Sequence, residues 1–111
     1  MNDDLIQDIV RRFLSVSNPQ RIIVFGSRAR GDARPDSDVD VMVVEEGPFG
    51  PPGSDHSRLA EWKRLYHSLW GCGAAVDLVL YTAEEVEGWQ GVANHLIHQA
   101  LREGRVVHGR A

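Results

Sequence analysis

Apolar residues along this chain follow two different periods. Three runs are almost continuously apolar and rich in β-branched residues, at positions 22–25, 39–44 and 75–81, which predicts buried strands. Around them, apolar residues recur at every third or fourth position over 5–14, 57–70 and 92–104, which predicts amphipathic helices. Positions 105–108 predict either a short final strand or a tail.

Breaker and capping residues set the boundaries of these elements. Asn18-Pro19 ends the first helix. Six of the seven residues from 47 to 53 are glycine or proline, which predicts an exposed loop, and a simple connector is favoured over a cover for a bound ligand. Thr82 and Glu85 have the spacing of a capping box and predict a short helix to about residue 88.

The order helix-strand-strand-helix-strand-helix-helix predicts an α/β (α+β) fold with a small mixed β-sheet flanked by helices. We expect the functional site on the sheet and helices covering its other side. The apolar stripe of the second long helix is expected to pack in the core, with a partner interface as the alternative for either tryptophan; it consists of Leu59, Trp62, Leu65, Tyr66, Leu69 and Trp70.

Composition narrows the class of protein. The 111 residues, 42% apolar and 25% charged, suit one domain (1–111) with a modest core. The net charge is −4 without a basic block, so no nucleic-acid surface is expected. The N-terminus is acidic, unlike that of a signal peptide. No apolar run is long enough to span a membrane, so no membrane span is expected. The single Cys72 excludes an internal disulfide, and we expect a cytoplasmic protein.

Two carboxylates at the start of the second strand are the first candidates for chemistry. Asp38 and Asp40 lie two residues apart, so they project from one face, roughly 6–7 Å apart at the backbone. Like charges this close repel unless a cation lies between them. Oxygen ligands suit Mg²⁺ or Mn²⁺. Asp32 and Asp36, in the loop before them, are interpreted as solvated acids rather than further ligands.

The turn after the first strand is a candidate anion site. Gly26 allows close approach of the backbone to a ligand, and Ser27 offers a hydroxyl and could cap a short helix. Arg28 and Arg30 add cations next to it. Phosphate contact and simple solvation both remain open for the two arginines.

The combination of these features resembles a known family. Gly26-Ser27, ten intervening residues and Asp38-Val39-Asp40 match the signature of the DNA polymerase β-like nucleotidyltransferase superfamily. The string GSRARGDARPDSDVDVMVV resembles the minimal nucleotidyltransferase (MNT) family, many of whose members resemble antitoxins paired with HEPN-type toxins. The motif covers about a fifth of the chain, and the implied nucleotidyltransferase domain covers nearly all of it.

The resemblance implies a set of site residues and cofactors. Asp77, a carboxylate inside the third apolar run, would join Asp38 and Asp40 as a third ligand for two Mg²⁺ ions, with Mn²⁺ as an alternative. An edge-strand acid facing water is the other interpretation of Asp77. ATP would be the nucleotide, and the residues that would hold its β- and γ-phosphates are Gly26, Ser27, Arg28 and Arg30.

The implied function is transfer of AMP from ATP to a hydroxyl, expected to be a tyrosine of a partner HEPN-type toxin, which is thereby neutralised. Two alternatives stay open. One is adenylylation of a small molecule such as an aminoglycoside, which the short chain disfavours. The other is an antitoxin that masks its toxin by binding alone, which the candidate triad disfavours.

Cys72 has no histidine at a recognisable motif spacing and is interpreted as a free thiol in a turn rather than a nucleophile. His95 and His98 are too few for a metal site and are interpreted as solvent-facing or packing residues.

Overall fold

The computed structural model describes residues 3–31, 34 and 38–109, with residue 3 described by its backbone alone. Within these ranges the helices and strands are, in chain order, α1 (Asp3–Val16), β1 (Arg21–Phe25), α2 (Ser27–Arg30), β2 (Val39–Glu45), α3 (Arg58–His67), β3 (Val76–Thr82), α4 (Ala83–Trp89), α5 (Leu96–Glu103) and β4 (Arg105–His108). None of the helices in the described ranges is long and apolar enough to cross a membrane.

The four strands form one mixed sheet in the order β3-β2-β1-β4. β1 pairs antiparallel with β2 and with β4, whereas β2 and β3 run parallel. The parallel pair requires a crossover connection, which α3 supplies. β2 lies in the interior of the sheet, and its apolar residues are buried on both faces, as its continuous apolar run predicts.

Helices cover both faces of the sheet. α1 and α3 pack on one face, in a core that includes Ile9, Phe13 and Leu65. Val86 of α4 and Ile97 of α5 pack on the other. Asp40 alternates along β2 with Val41 and therefore lies on the face of Met42, which α4 and α5 cover. The expectation that helices cover the side opposite the candidate carboxylates is therefore wrong in part, because helices cover both sides.

The helix predicted over 57–70 ends at His67 in the structure, so Leu69 and Trp70 lie in the turn after α3. The predicted apolar stripe is only partly buried. Leu65 and Leu69 reach the core and Trp62 packs against it. Tyr66 stacks on Trp62 with ring centroids 4.7 Å apart, and Trp70 is 89% exposed. The expectation that the whole stripe packs in the core is therefore wrong; its exposed members are Leu59, Tyr66 and Trp70.

α3 also covers the outer edge of the sheet. Trp62 Nε1 donates to the carbonyl oxygen of Leu78 at 2.9 Å, and Arg58 Nη1 donates to that of Leu80 at 2.8 Å. Both carbonyls belong to β3, the edge strand. Such contacts satisfy edge groups that would otherwise be available to another strand.

The predicted helix boundaries hold with local changes. The capping box is confirmed, since Thr82 Oγ1 accepts from the Glu85 N–H and the Glu85 carboxylate accepts from the Thr82 N–H. The last helix begins at Leu96 rather than 92, and His95 caps it by accepting from the Ile97 N–H at 3.1 Å. Residues 105–108 form a strand.

Candidate functional site

The candidate site begins where β1 ends, at a glycine that touches a carboxylate. Gly26 has φ 72°, a conformation that L side chains rarely adopt. A Cβ at this position would lie 2.2 Å from Oδ2 of Asp40. Phe25 faces Asp40 across the antiparallel pair, so the turn and the carboxylate belong to one end of the sheet. Only glycine fits this position without displacing Asp40.

Asp40 and Asp77 are brought together by the parallel pairing of β2 and β3. They are register partners, and the pKa of Asp40 is raised by burial, by the negative charge of Asp77, by a hydrogen bond with Asp77 and by the charge of Asp38. Asp77 lies on the edge strand and is exposed. It therefore combines both sequence interpretations, since it is open to water and also faces Asp40.

Asp38 is near this pair but does not form a ready three-carboxylate group with it. It precedes β2, is exposed, and acts on Asp40 through its charge. In the described part of the chain, no three His, Cys, Asp or Glu side chains form a group that could hold a metal ion as they stand. Three-carboxylate ligation would thus require side-chain movement among Asp38, Asp40 and Asp77.

Residues 27–30 form a single helical turn, α2, directly after Gly26. Gly26, not Ser27, is the N-cap residue, and Ser27 is the first helical residue. The Arg30 N–H donates to the Gly26 carbonyl at 3.1 Å. This turn carries Ser27 and both arginines to the end of the sheet where Asp40 lies.

The two arginines of α2 have different environments. Arg28 is 8% exposed, whereas Arg30 is exposed and its Nη1 donates to Oε2 of Glu103 at 3.1 Å. The positive charge of Arg30 also opposes the rise in the pKa of Asp40. Arg30 is thus better placed than Arg28 to meet a ligand from solvent.

Other sequence candidates lie elsewhere. Asp32 and Asp36 are outside the described residues. His98 Nδ1 contacts the Gln90 carbonyl at 2.8 Å, and His95, besides capping α5, stacks on Trp89 with centroids 4.4 Å apart. Cys72 is half-buried in a turn. The histidines therefore have structural contacts, as predicted.

The loop at 46–57 does not reach the candidate site. It follows Glu45, the last residue of β2, whereas Asp40 lies near the start of that strand, about 16 Å away by the strand rise. A groove of about 980 Å³ is lined by this loop, by α3 and by the end of β3. Its location separates the groove from the carboxylates and is consistent with the predicted connector role of the loop.

The electrostatics of the site favour a bound cation. Asp40 is flanked by two further carboxylates, and their repulsion is relieved either by a proton or by a positive ion. Asp77 and Asp38 are exposed, so an ion could enter from solvent. Oxygen donors from carboxylates are the ligands preferred by hard divalent cations such as Mg²⁺. The donor set therefore fits such an ion.

The family model of the nucleotidyltransferase domain matches residues 4–107, which is nearly the whole chain. The chain belongs to the nucleotidyltransferase domain family. Among curated proteins, none matches it.

Solved structures agree with this assignment. A protein assigned as a minimal nucleotidyltransferase is 34% identical to this nucleotidyltransferase domain, with a TM-score of 0.54, and the match covers 91% of this chain and 93% of that one. A Sulfolobus solfataricus protein assigned as a nucleotidyltransferase is 20% identical, with a TM-score of 0.63 and coverage of 96% and 79%. The resemblance to minimal nucleotidyltransferases is thereby confirmed.

The same fold occurs in a toxin–antitoxin structure that contains AMP-PNP. That chain is 21% identical to this one, with a TM-score of 0.62, and the match covers 99% of this chain and 75% of that one. A mutant of the MntA–HpeT toxin–antitoxin gives 19% identity, a TM-score of 0.57 and coverage of 99% and 75%. At these identities the likeness shows the fold alone.

Sequence reasoning missed one residue next to the candidate site. Glu103 lies 73 positions from Arg30 and meets it only because α5 ends beside α2. An acid at the end of an amphipathic helix has no distinctive pattern, so the sequence offered no signal for it.

Proposed function

We propose that this nucleotidyltransferase transfers AMP from ATP to a hydroxyl group, expected to be a tyrosine, of a partner protein, and that it is the antitoxin of a toxin–antitoxin pair. The observation that carries the proposal is the pairing of Asp40 with Asp77 beside Gly26. It supports a cation site next to a turn that can receive phosphate. The family membership supports the class of reaction.

In this proposal the turn after β1 receives the nucleotide. The backbone at Gly26 and the Ser27 hydroxyl contact the β- and γ-phosphates, and Arg30 adds a charge-assisted hydrogen bond. Arg28, which is buried, supports the turn and stays a weaker candidate for phosphate contact. Binding at this position brings the α-phosphate to the carboxylates at the start of β2.

The three carboxylates are the proposed ligands of Mg²⁺, or of Mn²⁺ in its place. Asp40 and Asp77 already face one another, and exposed Asp38, whose charge acts on Asp40, is the proposed third ligand. When bound, such ions lower the pKa of an attacking hydroxyl and neutralise the charge of the leaving pyrophosphate. Two ions are expected from the resemblance to the superfamily.

In the transfer step, one bond to the α-phosphorus forms and another breaks. The acceptor oxygen forms a bond to the α-phosphorus, and the bond from that phosphorus to the oxygen bridging to the β-phosphate breaks. Pyrophosphate leaves, and AMP remains on the acceptor. Asp77, exposed at the sheet edge, accepts the proton of the attacking hydroxyl.

A partner chain is the proposed source of the hydroxyl. The described part of the chain has a single sheet with its covering helices, and these elements are used in the core and the site. Structures with the same fold include toxin–antitoxin complexes, which supports a toxin as the partner. A HEPN-type toxin is the specific expectation from the resemblance to the MNT family, and a cytoplasmic location goes with it.

The proposal is tested with ATP that carries a radioactive α-phosphate, and the label is followed into the products. Wild type and Asp40→Asn are incubated with Mg²⁺ and an extract of the source cells, and protein and small-molecule fractions are separated. We expect label on one protein band with wild type and none with Asp40→Asn. Label on tyrosine, measured by mass spectrometry, would identify the acceptor group.

Asp55→Asn is the matched control, because it makes the same chemical change in an exposed loop near the start of α3. It should label the band as wild type does. Label only in a small molecule would overturn the protein acceptor in favour of a small-molecule adenylyltransferase. Absence of label with wild type, in an extract known to contain the partner, would overturn transfer itself.

Masking without catalysis is the second candidate, and the observation that favours it is that the described side chains form no ready three-residue metal group. Asp40→Asn separates the two functions in cells that carry the toxin. Under the catalytic proposal this variant fails to protect growth, and under masking it protects as wild type does.

A further inference from the structure

An ion pair joins α2, the turn proposed to receive phosphate, to the end of α5. Arg30 is the last residue of α2, and its Nη1 donates to Oε2 of Glu103, the last residue of α5, at 3.1 Å. Both side chains are partly exposed. An ion pair of this kind contributes little to stability. It does restrict the side chain of Arg30, which belongs to the turn beside the candidate site.

The orientation of Arg30 matters because of where its guanidinium lies. Arg30 ends the helical turn that begins directly after Gly26, and a Cβ on Gly26 would lie 2.2 Å from Asp40 Oδ2, so Arg30 borders the place where phosphate would meet the carboxylates. A guanidinium is a rigid planar fork, and a bond that fixes one of its N–H groups restricts the plane of the others. A partner on the α5 side can therefore set how Arg30 faces a nucleotide.

The Glu103 side chain accepts a hydrogen bond from its own helix, and the backbone next to it is packed against the sheet. Gln99, one turn earlier in α5, donates from Nε2 to the same Oε2 at 3.5 Å. The next residue, Gly104, donates its N–H to the Ala100 carbonyl at 2.8 Å. A Cβ on Gly104 would lie 2.5 Å from Cγ2 of Ile23 in β1, so the end of α5 is packed tightly against the sheet.

We propose that Glu103 is a positioning residue that holds the Arg30 guanidinium in the orientation that binds the phosphates of ATP. This inference rests on the proposed function, and it adds a residue that lies outside the Gly-Ser and Asp-x-Asp motif. The opposite role, in which Glu103 competes with phosphate for Arg30, predicts tighter nucleotide binding when Glu103 is neutralised. The two roles therefore differ in the sign of one measurable change.

The test is a double-mutant cycle on nucleotide affinity, which needs no acceptor. The dissociation constant for ATP with Mg²⁺ is measured by titration calorimetry on wild type, Glu103→Gln, Arg30→Ala and the double variant. We expect Glu103→Gln to weaken binding roughly three- to tenfold, as for a misaligned charge-assisted hydrogen bond. In the Arg30→Ala background the same change should have no further effect.

Glu87→Gln is the matched control, since it removes one negative charge from an exposed position in α4 and should leave affinity at the wild-type value. Melting temperatures of all variants are recorded, and those of Glu103→Gln and wild type should agree closely. Unchanged or tighter binding by Glu103→Gln would overturn the positioning role, and so would an equal loss in the Arg30→Ala background. Absence of ATP binding by wild type would instead overturn the proposed function, and this inference with it.

Discussion

Strand β2 carries an acidic pair at each end, and the two pairs have opposite surroundings. Near its start, Asp40 faces Asp77 of β3. At its last residue, Glu45 faces Glu61 of α3. In each pair burial and the neighbouring carboxyl raise the pKa of the β2 residue. The difference lies in what else surrounds the two acids.

The Glu45 pair is enclosed by the protein. Glu45 is 9% exposed, and burial with its hydrogen bond to Glu61 raises its pKa to about 7. The Ser17 hydroxyl lies 2.7 Å from Glu45 Oε2 and 3.0 Å from Glu61 Oε2. One hydroxyl has one proton to donate, so a proton on Glu45 lets all three groups be hydrogen-bonded. Glu61 remains charged, with Arg64 as its partner.

The Asp40 pair is open to a ligand. Asp77 and Asp38 are exposed, and Gly26 and Arg30 border the same region. No hydroxyl is interposed here among the hydrogen bonds of the described residues. A raised carboxyl pKa alone therefore does not indicate function. An enclosed pair is satisfied by a proton and joins α1, β2 and α3, whereas an open pair beside a glycine turn is suited to a cation.

The largest effect is expected from filling the space at the open pair. Gly26→Ala would bring a Cβ to 2.2 Å from Asp40 Oδ2 at a φ of 72°, so Asp40 must move. A displacement of about 1 Å is enough to cost roughly 100-fold in rate. We expect at least that loss in the rate of label transfer from ATP.

Gly53→Ala is the control for backbone strain. Gly53 has φ 88°, but a Cβ there would meet nothing within 4 Å, and the residue lies in the loop at the other end of the sheet. It should lose stability, about 1–2 kcal/mol, and keep transfer. Equal losses of transfer in the two variants would show that strain, rather than contact with Asp40, is responsible.

A second large effect is expected at the partner of Asp40. Asp77→Asn removes the proposed ligand and proton acceptor while keeping the size of the side chain. We expect the transfer rate to fall roughly 100-fold, within the range of general base effects. The affinity for ATP, measured by calorimetry, should change less, because the phosphates are held mainly by the Gly26-Ser27 turn. Glu46→Gln, an exposed acid at the far end, should match wild type, and a wild-type rate in Asp77→Asn would contradict the assignment.

The enclosed pair should affect stability rather than transfer. A raised folded-state pKa means that the contribution of protonated Glu45 is full below its ordinary value of 4.5 and is lost as pH rises through about 7. Glu45→Gln keeps a neutral group at this position. It should therefore be more stable than wild type at pH 8, by about 1–3 kcal/mol, and gain little at pH 5.

Urea unfolding of both proteins at the two pH values measures this difference. Glu61→Gln provides the comparison, since Glu61 is the charged member and its pKa is lowered rather than raised. A gain from Glu45→Gln that is the same at pH 5 and pH 8 would contradict protonation of Glu45.

The smallest effect is expected at the capping box beside the enclosed pair. Thr82, the register partner of Glu45, caps α4. Thr82→Ala should cost about 1 kcal/mol of stability without changing ATP affinity, and Thr82→Ser should retain most of it. A loss of ATP affinity in Thr82→Ala would show that the two ends of the sheet are not independent.

Local patterns predicted the elements and the open site. Continuous apolar runs indicated β2 and β3, the Thr82–Glu85 spacing indicated a helix start, and Gly26 with Asp40 indicated the site. Each of these signals lies within a short segment, so the sequence displays it directly. The pairing of Asp40 with Asp77 followed from the resemblance to a family, not from spacing.

Contacts between distant segments were not predictable. The Arg30–Glu103 ion pair depends on where α5 ends. The prediction that the apolar stripe of the second long helix is buried was also wrong. At about 100° per residue, its members spread around more of the helix than one buried face can cover. Leu65 and Trp62 point toward the sheet, whereas Leu59 and Tyr66 lie further round the helix and are 59% and 45% exposed. Periodicity shows that a helix is apolar on one side but not how much of that side is covered.

The most direct test of the central claim is a site-resolved measurement of cation binding. Mn²⁺ with ATP is added to ¹⁵N-labelled protein, and paramagnetic broadening of amide signals is recorded by NMR for wild type, Asp40→Asn and Glu45→Gln. We expect broadening around Gly26 and Val41 but not around Thr82, loss of that broadening in Asp40→Asn and its retention in Glu45→Gln. Broadening around the Glu45 end, or an unchanged pattern in Asp40→Asn, would contradict the claim that the open carboxyl pair is the cation site.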